Sequence, residues 1–427
     1  MKRLHNRFNI LVSICILIIG ASGVYAQTLD ELMTAAVQNR ELIKQYLANV
    51  EKSKEDIRFV KGNFYPAVDV EYRGSHFDGN LTTFDDYERY HTTTGSMTLN
   101  VFSGFKDYYD LKAAHKLHEI ENFKLSGVEQ DIKLEVSLAF LQIYRDQTFL
   151  NVAENAYRLL EKEHKNALLK YEVGILKKND VLKIKVQMDN AAQEVNRAKT
   201  AVVKSLNTLK RIVAKDLNIT DLDFSYFDTL PDFLEKAEYE PLLLSRRSEL
   251  NAFRKFHEAA QLAVKSARST LYPRADISAG YRNGENDYLP GSGDESEHEF
   301  EVQLKISLNI FDGFQKYAGI NNAKLDVKNA GYDLAELERD LKTRLKNILL
   351  DLDVAFENLK VAQSSQAEAE ENLRITQLQF QRGVTTSTEI LDAIFFLARA
   401  QFNVVDARTR VIGNHFNLTR MIEGFPR

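Results

Sequence analysis

The chain has 427 residues, a formal net charge of −5, one cysteine, no tryptophan, 6 prolines and 19 glycines. An acidic chain without a basic block is a poor nucleic-acid binder, and a single cysteine excludes a disulfide framework. Because proline and glycine are scarce, we expect long uninterrupted elements.

The N-terminus has the pattern of a secretory signal peptide over residues 1–26. Basic residues precede an apolar run, Ile10 to Ile19, which is too short to cross a bilayer as a helix. Val24-Tyr25-Ala26 places small side chains before Gln27, where we expect cleavage. Cleavage would remove the only cysteine, Cys15, and three basic residues, taking the net charge from −5 to −8. The alternative is a retained membrane anchor.

The rest of the chain contains two copies of one large unit, about 209 residues apart. Val101-Phe102-Ser103-Gly104-Phe105 returns as Ile310-Phe311-Asp312-Gly313-Phe314, and Tyr171-Glu172-Val173-Gly174-Ile175 returns as Phe380-Gln381-Arg382-Gly383-Val384. We therefore divide the chain into two structural repeats. Each should contain a helix, a β-hairpin and a long helical hairpin, and their bounds are 27–235, which includes a connector, and 236–427.

The first predicted element is one helix from Thr28 to about Asn63. Thr28-Leu29-Asp30-Glu31 has the form of a capping box. Tyr65-Pro66 ends the helix, since the residue before a proline disfavours helical backbone. Tyr272-Pro273 does the same in the second repeat.

After each of these prolines the pattern changes to the two-residue period of a β-strand. The clearest run is Phe300 to Ile310, eleven residues of strict apolar and polar alternation, which is the length that a tilted strand needs to cross a bilayer. We predict four strands, apolar on one face. On the other face, polar residues would line water: Asp69, Glu71, Arg73, Glu301 and Lys305. A pair of core-packed hairpins in a soluble protein is the alternative.

Long helices follow each predicted hairpin of strands. From Lys106 to Tyr171 the apolar residues recur at steps of three, four or seven without a proline, which is the pattern of a buried helical seam. Gly174 and Gly383 interrupt the two copies. Return helices are expected over about 180–213 and 388–423. Residues 215–240 are either a connector with some structure of its own or a plain surface linker.

Four strands cannot close a barrel, and a lipid-exposed sheet edge is not tolerated. Three chains would supply twelve strands, and their long helices would bury one another's seams. The predicted fold class is thus an α+β membrane protein with internal duplication. It forms a trimeric 12-stranded β-barrel, with four strands per chain, that is continued by a long α-helical barrel.

The order of these features resembles the TolC-like outer-membrane factors of Gram-negative bacteria, over essentially all of the predicted mature chain. The resemblance rests on an ordered set: the opening Thr28-Leu29-Asp30-Glu31, Asn39-Arg40-Glu41-Leu42 with its echo Arg247-Ser248-Glu249-Leu250, both Tyr-Pro junctions, both Phe-x-Gly-Phe junctions, both glycine-containing hairpin ends, and Gly424. It implies a homotrimeric channel whose 12-stranded outer-membrane β-barrel lies in lipid and whose long periplasmic α-helical barrel forms a large periplasmic portion. Such a channel docks on a periplasmic adaptor and an inner-membrane pump, for efflux or type I secretion.

The resemblance also assigns roles to the ends of the two helical hairpins. It places an adaptor-docking surface at Val173, Gly174, Ile175, Arg382, Gly383 and Val384. For the glycines, a simple helix cap is the alternative.

A periplasmic gate, or pore constriction, would lie beside these ends, at Glu389, Asp392, Asp180, Phe380 and Thr385. The alternatives are that Glu389 completes a capping box with Thr386 and that Asp180 favours the start of a helix. Phe380 and Thr385 replace a tyrosine and an arginine that help to hold the best-known member shut. The closed end is therefore either packed shut or less tightly shut.

The function that we expect is a passive exit duct with an acidic gate. An exported structural coiled-coil or surface protein without channel activity is the alternative. Because no catalytic, phosphate-loop or metal-ligand spacing appears, we expect no enzyme activity, no cofactor, no metal and no nucleic-acid partner. The loop 285–299 is acidic, and a solvated loop is favoured there over a calcium site.

Overall fold

The computed structural model describes residues 27–76, 89–285 and 296–426. The predicted signal peptide and most of the acidic loop lie outside these residues. Within the described part, eight helices and four strands follow one another in this order: α1 Leu29–Asn39, α2 Glu41–Gly62, β1 Ala67–His76, β2 Arg89–Phe102, α3 Lys106–Glu172, α4 Lys178–Val213, α5 Lys236–Arg246, α6 Ser248–Arg268, β3 Arg274–Glu285, β4 Ser296–Ser307, α7 Gln315–Gln381 and α8 Ser387–Met421.

The chain forms two compact units, and each takes segments from both predicted repeats. Of the described residues, the helical unit contains 27–43, Val128–Leu243 and 343–426. The sheet unit contains Lys44–Gly127 and Leu244–Lys342. The long helices α3 and α7, each of 67 residues, contribute to both units. The predicted long helices and return helices are confirmed.

The four strands form one antiparallel sheet in the order β1-β2-β3-β4. The central pair, β2 and β3, joins the two predicted repeats, with Met97 opposite Ala279. Residues opposite each other on an antiparallel ladder share a face. The register thus places Val70, Tyr281 and Phe300 in one row of the apolar face.

The opposite face of the sheet is polar, as the alternation predicts. One row across it contains Glu71, Thr94, Arg282 and Glu299. Arg282 and Glu299 form an ion pair at 3.6 Å between side chains that are both more than half exposed, so the pair contributes little to stability.

Each strand-to-helix junction is a tight turn with two consecutive residues in the left-handed region. Gly104 and Phe105 both have φ of 67° in the first junction, and Gly313 and Phe314 have 68° and 67° in the second. Glycine is required at Gly104 for a second reason. A Cβ there would lie 2.4 Å from the carbonyl oxygen of Ser269.

The core of the helical unit is the predicted apolar seam of α3, joined by residues of α8 and of the connector. Ile132, Val136 and Ile143 are buried on α3. The connector, left open above, has structure of its own. Phe227 is fully buried, and Arg408 of α8 donates to the carbonyls of Phe227 and Asp228, both at 2.6 Å.

The predicted single helix from Thr28 to Asn63 is wrong, because the helix breaks at Arg40. Thr28 and Glu31 do form the expected capping box. Arg40, however, has extended backbone and pairs through its guanidinium with the carboxylate of Glu135. Arg247 makes the equivalent break between α5 and α6.

The bounds predicted for the last strand are also shifted. β4 ends at Ser307, although the apolar alternation continues to Ile310. Its partner strand β3 begins at Arg274, which pairs with Ser307. Pro273 before it has no N–H to extend the ladder.

Candidate functional site

The candidate site consists of the two helical hairpin ends, both in the helical unit. The first hairpin end covers residues 170–180, between α3 and α4. The second covers residues 379–392, between α7 and α8. Gly174 and Gly383 have φ of 78° and 75°, a region that side chains resist.

Both ends close with the same backbone hydrogen bond, which spans six residues as in a Schellman motif. Ile175 donates its N–H to the carbonyl of Lys170 at 2.8 Å, and Val384 donates to Gln379 at 2.9 Å. The predicted glycine turns are therefore helix caps. The residues beside these glycines lie in solvent: Val173, Ile175 and Val384 are 69%, 70% and 75% exposed.

Two polar contacts join the hairpin ends. Lys170 of the first end donates to the backbone carbonyl of Phe380 at 2.6 Å, and its ammonium lies 4.1 Å from the centroid of the Phe380 ring. Ser387 of the second end is buried and donates its hydroxyl to a carboxylate oxygen of Asp180 at 2.8 Å.

Phe380 is at the centre of the packing between the hairpins. Its ring is 2% exposed and lies in an apolar cluster drawn from all four helices. The buried members of that cluster are Leu160, Ala167, Val181, Ile184, Leu373, Phe380, Ile390, Ala393, Ile394 and Leu397. Phe380 thus joins the two ends through packing, its ring face and its carbonyl.

Glu389 lies in the first turn of α8, where one half of the capping box that the sequence left open for it is present. Thr386 is the N-cap of α8, and its hydroxyl accepts the Glu389 N–H at 3.4 Å. The Thr385 hydroxyl donates to the Glu389 carboxylate. These bonds leave the side chain exposed, and Asp392 is exposed in the next turn.

The structure therefore divides the predicted gate residues into two groups. Phe380 and Asp180 hold the hairpin ends together, whereas Glu389 and Asp392 present carboxylates to solvent from α8. Thr385 donates its hydroxyl to Glu389 of the second group.

Sequence reasoning missed two residues of the site, Lys170 and Ser387. The duplication offered a signal for both, because the repeats differ at these positions. With the offset of about 209 residues, Lys170 corresponds to Gln379, and Ser387 corresponds to Lys178. Neither counterpart makes the same contact across the hairpins.

Among the described residues, no helix combines the length and apolarity that crossing a membrane requires.

The four-stranded sheet, the long helical hairpins and the paired glycine ends define a class of protein, the outer-membrane channels that combine strands with a helical tunnel. The sequence profile of the family described as "Outer membrane efflux protein" matches residues 32–215 and 241–423. The chain belongs to that family.

Individual relatives agree in fold and in sequence. The chain is 19% identical over 397 residues to the outer membrane protein TolC of Vibrio cholerae serotype O1, covering 91% of this chain and 89% of TolC. It is 21% identical over 324 residues to the alkaline protease secretion protein AprF of Pseudomonas aeruginosa, covering 74% and 66%. The solved structure of CusC superposes with a TM-score of 0.79 at 14% identity, covering 92% of this chain and 91% of CusC.

The protein is therefore an outer-membrane channel of the efflux or type I secretion kind, with a large periplasmic portion. The predicted family, fold class, channel function and location are confirmed, whereas the acidic gate stays a prediction. The alternative of a structural coiled-coil protein without channel activity is set aside. The family is one of transport proteins rather than enzymes.

Proposed function

We propose that three copies of the chain form one passive exit duct that is gated at the hairpin ends. The observation that carries the proposal is the sheet. Within the described residues β1 pairs only with β2, and β4 only with β3, so each chain presents two strand edges. Its apolar face is strongly exposed, with Val70 at 78% and Phe300 at 71%.

An apolar sheet with open edges cannot remain alone in lipid, because each unpaired backbone group costs several kcal/mol there. Pairing β4 of one chain with β1 of the next satisfies both edges, and this head-to-tail contact closes as a ring. Two chains would give eight strands, a number whose interior side chains already fill, and three give twelve strands around an open bore.

Disulfide crosslinking between the sheet edges tests this assembly. In a Cys15→Ser background, Val70→Cys on β1 would be combined in turn with single cysteines along β4 from 300 to 306. Oxidation of outer membranes should give a ladder that ends at the covalent trimer for at least one pair. Val70→Cys alone is the matched control and should give none. Monomer from every pair, in protein that is inserted and heat-modifiable, would overturn the proposal.

The gate that we propose uses the two groups of residues separately. The contacts of Lys170 with Phe380 and of Ser387 with Asp180 hold the hairpin ends in the closed arrangement. Glu389 and Asp392 of three chains would place six carboxylates around the axis, where crowded like charges attract cations. The duct itself does no chemistry, so energy comes from the pump.

The exposed hairpin ends are the proposed docking surface for a periplasmic adaptor, which in turn contacts an inner-membrane pump. Support comes from the aliphatic side chains of Val173, Ile175 and Val384, which are held in solvent by rigid glycine caps rather than packed. Crosslinking from these positions in intact cells tests docking. Failure to capture any periplasmic protein would count against it.

A further inference from the structure

The first hairpin end carries an excess of positive charge that the helical unit does not neutralise. Lys177 and Lys178 are exposed, and neither has an ion-pair partner in the part of the chain that the structure describes. Glu172 of the same end is exposed and likewise unpaired. The first end of each chain therefore presents an excess of one positive charge beside the aliphatic side chains of Val173 and Ile175.

The second hairpin end differs in sign. Its exposed charges without an ion-pair partner among the described residues are Arg382, Glu389 and Asp392, which leaves an excess of one negative charge.

The other charged groups near the first hairpin end are already engaged. Lys183 lies 4.0 Å from the carboxylate of Asp180, and Lys185 lies 2.5 Å from Asp189. Lys170 is bound to the second hairpin end. Neutralised groups of this kind contribute little to the recognition of a partner, so the free charges are those named above.

The lysines do not serve the helix that they begin. Lys177 is the N-cap of α4 and makes no side-chain capping bond, whereas its counterpart Thr386 caps α8. Lysine has no acceptor with which to cap, and a cation is unfavourable beside the positive end of the helix dipole. Local rules of helix stability are typically broken where a residue serves a function.

From this charge and shape we propose that the first hairpin end recognises an acidic partner segment. The segment is a periplasmic protein surface that places an aliphatic side chain against Val173 and Ile175 and carboxylates against Lys177 and Lys178. This deepens the docking proposal and rests on it. It assigns the specificity to the first repeat, since Thr386 and Ser387 stand where the first repeat has the two lysines.

Site-specific photocrosslinking in the native outer membrane tests the inference, with a benzoylphenylalanine probe at Ile175 of the full chain. The captured peptide, sequenced by mass spectrometry, should carry more Asp and Glu than Lys and Arg. Lys177→Glu with Lys178→Glu should lower the crosslink yield by about tenfold or more, because charge reversal turns attraction into repulsion. Lys204→Glu with Lys215→Glu, the same change of charge at two exposed positions farther along the chain, should leave the yield unchanged. Reversing the captured carboxylates to lysine should restore the yield with the double variant.

Four outcomes would overturn the inference. A captured segment without net negative charge, or an unchanged yield with the double variant, would refute the acidic partner while leaving docking intact. Capture of a second copy of this chain would do the same. No capture from Ile175 or from a second probe position at Val384, in protein that is inserted and heat-modifiable, would refute docking and the acidic partner together.

Discussion

The ammonium of Lys170 lies 2.6 Å from the backbone carbonyl oxygen of Phe380 and 4.1 Å from the centroid of the same residue's ring. One cation therefore holds the second hairpin end by both its backbone and its side chain. Phe380 itself is buried among the four helices of the two hairpins. Whether Phe380 packs a closed end or leaves it loose was undecided from the sequence, and this contact favours packing reinforced by one charged group.

Replacing Lys170 by methionine should loosen the hairpin ends. Methionine keeps the aliphatic stem and removes the ammonium, so a charged hydrogen bond worth about 1.5 kcal/mol or more is lost. That is roughly a tenfold shift toward the open arrangement. Cells that express the variant should become more sensitive to a large antibiotic that cannot cross a closed channel. Lys165→Met is the matched control, because Lys165 pairs with Glu161 on its own helix and with no other carboxylate among the described residues.

Replacing Glu389 by glutamine should separate its charge from its place at the start of α8. Glutamine can take the same position in a capping arrangement, while half of the six proposed gate carboxylates lose their charge. Block of the channel by a trivalent cation, measured in planar bilayers, should then need roughly tenfold more cation. Thr386→Ala keeps the carboxylate and removes the cap. It should lower the free energy of unfolding by about 1 kcal/mol without changing the block by the cation. If Glu389→Gln lowered stability and left the block unchanged, the role of Glu389 would be limited to capping.

The two junction glycines should respond differently to alanine. Gly104 and Gly313 have nearly the same positive φ, so each substitution costs about 1–2 kcal/mol in backbone strain. Only at Gly104 would the new Cβ also meet other atoms, the Ser269 carbonyl oxygen at 2.4 Å and the Tyr272 Cβ at 2.9 Å. The yield of folded, heat-modifiable protein should thus fall much further for Gly104→Ala than for Gly313→Ala. Equal yields would show that the backbone at Ser269 shifts to make room for the new Cβ.

Acid should weaken the helical unit through His415. Burial lowers the pKa of this histidine below its usual 6.5, and its ring lies 5.3 Å from that of Phe233 and 6.0 Å from that of Phe416. Below pH 6.5 the unfolded chain binds the proton before the folded chain does, so stability falls as the pH falls. The melting temperature should drop by a few degrees more in the wild type than in His415→Leu between pH 7.5 and 5.5. Equal drops would show that protonation of His415 does not contribute to the loss of stability in acid.

The periodic elements could be predicted from the sequence because their signals are local. The long helix α3 and the alternation along β4 are both visible within a short window. The break at Arg40 was missed, since its guanidinium pairs with Glu135, 95 residues away. The end of β4 was misplaced because it depends on where β3 begins. A strand can extend only where it has a partner.

The candidate site also has features that the sequence predicts and features that it does not. The glycine turns follow from sequence because only their own backbone requires them. The contact of Lys170 with Phe380 joins residues 210 positions apart, and that of Ser387 with Asp180 joins residues 207 apart. No local pattern reports either contact. Comparison of the repeats marks these positions as different but does not show what they touch.

Single-channel conductance of the purified protein in planar bilayers tests the central claim, a duct closed at its hairpin ends, most directly. Wild-type protein should conduct weakly with rare openings. The double variant Lys170→Met with Ser387→Ala removes both contacts between the ends, and its open fraction should rise by roughly tenfold or more. A wild-type channel that is already fully open, or a double variant that conducts no more than the wild type, would contradict the account.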